Sequence, residues 1–180
     1  MTANLFPSPP WPALPVQGET GRYPIHRIFC VGKNYAAHAA EMGGEVNREQ
    51  PIFFTKSALA FLPSGMDSNY PPGTSDYQYE VELCVMVGKP LFKASEAEAA
   101  QAVYGYAVGL DMTRRDLQAY AKDHRNPWDM AKDVEESAII GPVKHLIRQI
   151  SREELRDVVD NARAKAQPGR RAVTEFLAQL

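Results

Sequence analysis

The sequence predicts an α+β fold that is rich in β-strands. Two kinds of segment support this prediction: short apolar runs closed by turn residues, as in buried strands, and short helices opened by capping residues. The clearest strand is YEVELCVMV over 79–87, and the clearest helix start is Ser95, which has Glu98 three residues later as in a capping box. With 44% hydrophobic residues, a chain of 180 residues can bury a core without disulfides.

The N-terminal segment is rich in proline, because the first 24 residues hold six of the fourteen prolines in the chain. Such a segment is incompatible with a helix or a central strand, since proline lacks the backbone donor that both require. The sequence therefore predicts an extended arm that lies on the domain. Its candidate anchors are Phe6, Trp11 and Leu14.

The remaining elements follow from apolar runs and helix signals. Strands are predicted over 26–31, 52–55, 79–87, 104–110 and 137–140. Helices are predicted over 34–42, 95–102 and 113–122. Two more helices, over about 151–166 and 171–179, are predicted after Gly141-Pro142, and Pro168-Gly169 separates them.

Charge and composition exclude several classes of protein. The net charge is −2 and the isoelectric point is near 6.1, so the chain lacks the basic character that nucleic-acid binding requires. No apolar run approaches the length of a membrane span, and the proline-rich start does not resemble a signal peptide. Cys30 and Cys84 lie inside apolar runs, which favours free thiols in a reducing cytoplasm. We therefore expect a cytoplasmic protein with no nucleic-acid or membrane partner.

Three carboxylates form a candidate metal site. Glu80 and Glu82 stand two residues apart on one strand, so their side chains share a face. Asp111 follows Gly109 at the predicted end of another strand. An all-oxygen set of this kind suits Mg²⁺ or Mn²⁺, whereas zinc prefers histidine or cysteine. The alternative is a solvent-facing stripe of glutamates, and the spacing alone leaves that interpretation open.

His38 and Glu41 are candidates for activating water, and Lys132 is a candidate for stabilising negative charge. His38 and Glu41 stand three residues apart on a predicted helix, where a carboxylate can orient the imidazole. Lys132 follows Met130 and Ala131, and a lysine in such a setting can polarise a carbonyl. Alternatively, His38 and Glu41 only contact each other on the surface of the helix, and Lys132 is a solvated surface lysine.

Two consecutive arginines are candidates for binding a substrate carboxylate. Arg114 and Arg115 closely follow Asp111, and one of them can hold a carboxylate in a bidentate fork. The other arginine is expected to be solvated. Lys33 and Lys56, each beside an apolar strand, are weaker candidates of the same kind.

Five strings of sequence resemble the fumarylacetoacetate hydrolase family, in the family's order. They cover about residues 22–142 and read RIFCVGKNYAAHAAEMG, IFFTKSALA, YPPGTSDYQYEVELCVMVG, VYGYAVGLDMTRRDLQ and PWDMAKDVEESAIIGP. The resemblance implies a β-rich mixed roll that usually assembles as a homodimer. It also implies a metal-dependent hydrolase that cleaves a carbon–carbon bond of a diketo acid such as fumarylpyruvate, in the catabolism of aromatic compounds.

The resemblance implies a role for most of the candidate residues. It makes the E-x-E pair Glu80 and Glu82, together with Asp111, the ligands of Mg²⁺ or Mn²⁺. It makes His38 and Glu41 the pair that activates water, and Lys132 the active-site lysine. The same metal site is also compatible with decarboxylation of a β-keto acid such as oxaloacetate.

The chain departs from the family pattern after residue 142. The family continues with more strands and a Gly-Thr-Pro loop, whereas residues 143–180 show almost no β-pattern. The sequence therefore predicts an N-terminal arm (1–21), a truncated family roll (22–142) and a helical tail outside the family (143–180). A further alternative follows, in which the chain is an inactive remnant with weak or absent turnover.

Overall fold

The computed structural model describes residues 5–32 and 51–145. Nine strands run through these residues: β1 (Ala13–Pro15), β2 (Arg22–Pro24), β3 (Ile28–Gly32), β4 (Ile52–Lys56), β5 (Phe61–Pro63), β6 (Tyr77–Val87), β7 (Val103–Arg114), β8 (Ala138–Ile140) and β9 (Lys144–His145). A 3₁₀ turn (Ala58–Ala60) and three helices, α1 (Glu96–Gln101), α2 (Arg115–Asp123) and α3 (Asp129–Lys132), complete the described part. The predicted strand-rich α+β class is confirmed.

The N-terminal arm folds back on itself instead of running straight. Strands β1 and β2 pair antiparallel, and their length of three residues each tolerates Pro15 and Pro24 at the strand ends. Leu14 is 1% exposed and anchors the arm in the core, as predicted. The other two candidate anchors, Phe6 and Trp11, lie largely in solvent.

Strands β3 and β4 form a separate antiparallel pair, with register from Ile28 opposite Lys56 to Gly32 opposite Ile52. Successive side chains alternate between the two faces of this pair. Phe54 and Lys56 turn inward, and Lys56 is only 4% exposed. The pair thereby delivers one aromatic ring and one ammonium group to the interior.

The main sheet has the strand order β5-β8-β7-β6, and β9 also pairs with β7. Strands β6 and β7 form a long antiparallel ladder from Tyr77 opposite Arg114 to Val87 opposite Val103. One face packs against the arm and contributes Met86 and Ala107 to the larger core. The opposite face carries the second core, built on Val108, Leu110 and Met112.

The region around Asp111 differs from the prediction. Strand β7 does not end at Asp111 but continues to Arg114, and α2 begins at Arg115 rather than Thr113. The ladder continues because Thr113 pairs with Gln78. Asp111 therefore stands inside a strand, where its backbone is held on both sides.

The other predicted elements agree with the structure to within a few residues. The capping box is present, since Ser95 Oγ accepts a hydrogen bond from Glu98 N and the Glu98 carboxylate accepts one from Ser95 N. Both cysteines are free thiols, as predicted, and burial raises the pKa of each to about 12. The predicted helices over 34–42, 151–166 and 171–179 lie outside the described residues. Within the described ranges, every helix is too short or too polar to cross a membrane.

Candidate active site

A cavity of about 1390 Å³ opens between the main sheet, the β3–β4 pair and α2. The central strands contribute the carboxylates of Glu80, Glu82 and Asp111 to its wall. Helices α2 and α3 contribute the cations of Arg115 and Lys132. The cavity therefore combines acidic and basic groups that come from different elements.

The β6–β7 register brings the three carboxylates to one face of the sheet. Glu80 lies directly opposite Asp111, and Glu82 lies opposite Gly109. Directly opposed residues on antiparallel strands have Cβ atoms about 5 Å apart, so the Glu80 and Asp111 carboxylates would repel each other without a cation.

The ammonium group of Lys132 supplies that cation. Its Nζ lies 2.5 Å from Glu80 Oε2 and 2.8 Å from Asp111 Oδ2, and it donates to Thr113 Oγ1 at 2.7 Å. The residue is 1% exposed and stands at the end of α3. Glu80 and Asp111 thus converge on one buried positive charge.

Lys56 is a second buried ammonium group beside Asp111. Its Nζ lies 2.9 Å from Asp111 Oδ1 and donates to Met112 O and Ser137 Oγ, each at 3.1 Å. It also donates to the backbone carbonyl of Lys132. Lys56 therefore ties the β3–β4 pair, β7 and α3 together at the carboxylates.

Burial and charge shift the pKa values of this network in different directions. Burial raises the pKa of Asp111, although Lys56 and Lys132 oppose the shift. Burial also acts to raise the pKa of Glu80, but the nearby Lys132 and Arg115 outweigh it and hold that pKa below its usual value. Burial lowers the pKa of Lys56, against the attraction of Asp111. The polar groups are thus costly to bury singly and depend on one another.

The two arginines have different roles in the structure. Arg115 Nη2 lies 2.8 Å from Glu80 Oε1, and its Nη1 donates to Gln118 Oε1 at 2.9 Å, so it faces the cavity. Arg114 was expected to be solvated if Arg115 were the binding residue, but it is only 9% exposed and donates to Pro72 O. It is buried because β7 extends through it and turns its side chain under the 72–76 loop.

Asp116 holds that loop against the start of α2. Its carboxylate accepts hydrogen bonds from Thr74 Oγ1 at 2.6 Å, Ser75 N at 2.9 Å and Leu117 N at 2.9 Å. These bonds, with the Thr74 hydroxyl first, lower the pKa of Asp116 to about 2. The loop and the first turn of the helix that carries Arg115 are thus fixed by one charged group.

Asp116→Asn is expected to lower the unfolding temperature at pH 7, because the amide accepts these hydrogen bonds less well than the carboxylate. Folding lowers the pKa of Asp116 from 3.8 to about 2. The carboxylate therefore contributes its full stabilisation above about pH 3.8, and this contribution is lost as the pH falls towards about 2. Thermal melts across this range should show the two proteins converging. Asp123 stands at the C-terminus of the same helix, where a negative charge is unfavourable, so Asp123→Asn should not lower the unfolding temperature. A difference that persists unchanged at pH 2 would contradict the assignment.

Gly109 makes room beside the carboxylates. A Cβ atom at this position would lie 2.6 Å from Cys84 Sγ, which is closer than van der Waals contact allows. We expect Gly109→Ala to lower the free energy of unfolding by about 1–3 kcal/mol, as overpacking does. Urea unfolding would measure it, with Gly21→Ala, which meets nothing within 4 Å, as the control.

The double variant Cys84→Ala/Gly109→Ala separates this clash from other effects. Removal of the thiol relieves the contact, so the double variant should lose less stability than the sum of the two single variants. Strict additivity would show that Gly109 is required for another reason.

The chemistry of the three carboxylates fits Mg²⁺ or Mn²⁺, since both cations prefer oxygen ligands. Two of the carboxylates, Glu80 and Asp111, already converge on a cation, the Lys132 ammonium. Within residues 5–32 and 51–145, however, no three histidine, cysteine or acidic side chains are arranged as a group that could hold a metal ion. Joint ligation of one ion by Glu80, Glu82 and Asp111 stays a prediction.

The predicted site residues are therefore only partly brought together. Glu80, Glu82, Asp111, Lys132 and Arg115 all line one cavity. His38 and Glu41 lie outside the described residues, so their role as the water-activating pair stays a prediction.

Sequence reasoning underrated Lys56 and missed Gln118. Lys56 is the last residue of the apolar strand IFFTK. A charged residue at that position is only a weak indication that its side chain pairs with a buried group. Gln118 stands three residues after Arg115, and this helical spacing could have placed both side chains on one face.

Comparisons with known proteins agree on one family. The sequence profile of the family described as fumarylacetoacetate (FAA) hydrolase C-terminal matches residues 27–178. The matched range runs past residue 142, where the sequence predicts the family part to end, and that boundary stays a prediction.

Individual relatives match over shorter ranges. The chain is 49% identical over 104 residues to a fumarylpyruvate hydrolase of a Ralstonia species, which covers 57% of this chain and 54% of the relative. It is 38% identical over 121 residues to the oxaloacetate tautomerase YcgM of Escherichia coli strain K12, covering 67% of this chain and 55% of the relative. The chain thus spans about half the length of these curated relatives.

The fold is similar to solved structures at comparable identity. A crystal structure of fumarylpyruvate hydrolase from Pseudomonas aeruginosa, in complex with Mn²⁺ and pyruvate, superposes with a TM-score of 0.74 and 42% identity. The match covers 79% of this chain and 63% of that one. The predicted family resemblance and fold are confirmed by these matches.

Proposed function

The chain belongs to the fumarylacetoacetate hydrolase family, and from this premise we propose that its cavity serves a metal-dependent hydrolase. The proposed reaction adds water to a diketo acid such as fumarylpyruvate and breaks a carbon–carbon bond, which yields fumarate and pyruvate. The similarity to a fumarylpyruvate hydrolase over 104 residues supports this choice of substrate. A homodimer is proposed on the same ground of family membership.

The observation that carries the proposal is the convergence of Glu80 and Asp111 on Lys132 beside Arg115. Acidic groups that line a cavity and have perturbed pKa values mark candidate functional sites, because catalytic and binding sites use burial and neighbouring charges to shift pKa values. The cavity is large enough for a small organic acid, and its wall presents charges of both signs.

Glu80, Glu82 and Asp111 are the residues that would hold a divalent cation. When bound, the cation would polarise a substrate carbonyl as a Lewis acid. The Mn²⁺ and pyruvate in the complex of the Pseudomonas aeruginosa relative support a divalent cation and a keto acid here.

The remaining site residues bind the substrate and stabilise the negative charge that develops during the reaction. Arg115 presents a guanidinium group to the cavity, and its hydrogen bonds to Glu80 and Gln118 fix its orientation for bidentate binding of a substrate carboxylate. Lys132 stabilises negative charge as the carbon–carbon bond breaks, because its ammonium is held in place before the reaction. His38, oriented by Glu41, is proposed to accept the proton of the attacking water.

A second candidate function is the tautomerisation of oxaloacetate. The similarity to the oxaloacetate tautomerase YcgM, which covers two thirds of this chain, favours it. Tautomerisation moves a proton between carbon and oxygen of a keto acid, so the same carboxylate-binding and charge-stabilising groups would serve it.

The test is turnover by the 180-residue chain with Mn²⁺ or Mg²⁺. Fumarylpyruvate and oxaloacetate are supplied separately, and fumarate, pyruvate and the keto–enol ratio are followed. The proposal predicts stoichiometric fumarate and pyruvate, and loss of this activity in Glu82→Gln. Conversion of oxaloacetate alone would support the second candidate. Metal binding without turnover of either compound would contradict both and favour the inactive remnant.

A further inference from the structure

Helix α2 presents three polar side chains to the cavity at regular spacing. Arg115, Gln118 and Lys122 stand at positions i, i+3 and i+7, and all three line the cavity. This spacing places side chains along one face of a helix. Since a helix rises 1.5 Å per residue, Arg115 and Lys122 lie about 10 Å apart along the axis. The cavity thus has a cation at each end of one helix face.

An aromatic wall connects the two ends of the site. Lys132 Nζ lies 4.9 Å from the centroid of the Phe54 ring, and the Phe54 and Trp128 rings are 5.8 Å apart. Lys122 Nζ lies 5.4 Å from the centroid of the Trp128 ring. All four residues line the cavity, so an apolar surface runs from the buried lysine of the site to the lysine at the far end of α2.

We propose that Lys122 forms a second carboxylate subsite, which selects diketo acids that carry a carboxylate at both ends of a long chain. This inference rests on the proposed function, in which Arg115 binds the carboxylate next to the reacting carbonyls. The uncharged middle of the substrate then lies along Phe54 and Trp128, and the distal carboxylate pairs with the Lys122 ammonium.

The subsite separates the two candidate substrates by length. Five carbon atoms stand between the two carboxylates of fumarylpyruvate, and only two stand between those of oxaloacetate. With one carboxylate on Arg115, the longer molecule reaches towards Lys122 and the shorter one does not. Lys122 therefore favours the longer dicarboxylate.

The position of Lys122 distinguishes it from other cations that line the cavity. In the described part of the chain these include Arg22, Arg27 and Lys89, which lie on β2, before β3 and after β6. Lys122 shares its helix face with Arg115 and stands next to the aromatic wall, which gives it the geometry that a two-ended substrate requires.

The test compares ligands that reach one or both subsites in the 180-residue chain loaded with Mn²⁺. Calorimetry measures the Kd of pyruvate, which has one carboxylate, and of pimelate, a seven-carbon dicarboxylate that cannot be cleaved. Lys122→Met should weaken pimelate about 10-fold, the loss expected for one charge-assisted hydrogen bond, and leave pyruvate unchanged. The KM for fumarylpyruvate should rise by a similar factor with little change in kcat.

Two further variants serve as controls. Lys122→Arg keeps the charge and should retain most of the pimelate affinity. Lys93→Met removes a lysine that makes the same kind of aromatic contact, 5.5 Å from the Phe92 ring centroid, outside the cavity, and should change nothing. Thermal melts confirm that each variant is folded.

The outcomes separate this inference from the function on which it rests. If Lys122→Met binds both ligands as the unmodified chain does, the subsite is wrong although the site at Arg115 stands. If pyruvate and pimelate weaken equally, Lys122 acts on the whole site and the proposed selectivity is wrong. If the chain binds neither ligand, the proposed function and the subsite both fail.

Discussion

Lys132→Met is expected to lower the free energy of unfolding by about 3–5 kcal/mol, the cost of breaking a buried ion pair from one side. The substitution leaves Glu80 and Asp111 facing each other without the ammonium group that lies 2.5 and 2.8 Å from their oxygens. It also removes the donor to Thr113 Oγ1, which is fully buried. Urea unfolding at pH 7, without divalent metal, measures the loss.

Metal should partly reverse this loss. A cation that binds only the native state stabilises it by mass action, and the gain from Mn²⁺ should be larger in Lys132→Met than in the unmodified chain. Lys144→Met, at an exposed lysine of β9, serves as the control and should be close to neutral. A Lys132→Met chain as stable as the control would show that the ammonium does not hold the carboxylates.

Lys56→Met is expected to cost a similar amount, about 3–5 kcal/mol, for a different reason. Lys56 joins the β3–β4 pair to β7 and α3, because its ammonium contacts Asp111 and the Met112 carbonyl on β7 and the Lys132 carbonyl at the end of α3, as well as Ser137 Oγ. The methionine leaves a buried carboxylate and three further acceptors without this donor, and unsatisfied buried groups carry the full cost of desolvation. Urea unfolding again provides the measurement.

The double variant Lys56→Met/Asp111→Asn tests whether the effect runs through the ion pair. Neutralising Asp111 removes the charge that Lys56 balances, so the double variant should lose clearly less stability than the two single variants together. Losses that simply add would mean that Lys56 and Asp111 act independently, which the 2.9 Å separation argues against.

Local patterns predicted the parts of the fold that depend on neighbouring residues. The alternation in β6 predicts Glu80 and Glu82 on one face, and in the structure Asp111 lies on that same face, on the neighbouring strand directly across from Glu80. The capping box at Ser95 marked the start of α1 correctly. These features could be read because a strand period of two and a cap spacing of three are properties of the local chain.

Features that depend on distant residues could not be predicted in this way. The sequence predicts that Asp111 ends the strand, because aspartate is rare within strands, whereas pairing with β6 carries β7 on to Arg114. The burial of Lys56 depends on Ser137, which is 81 residues away in the chain. The central role of Lys56 thus becomes visible only when the β3–β4 pair is placed against the main sheet.

Joint ligation of one divalent cation by Glu80, Glu82 and Asp111 is tested most directly by a calorimetric titration with Mn²⁺. We expect one Mn²⁺ per chain, with affinity at least about 10-fold weaker in Glu82→Gln, because the site loses one charged ligand. The control variant Glu96→Gln, at an exposed glutamate of α1, should bind as the unmodified chain does. Mn²⁺ binding that is absent, or that is equally tight in Glu82→Gln, would contradict joint ligation.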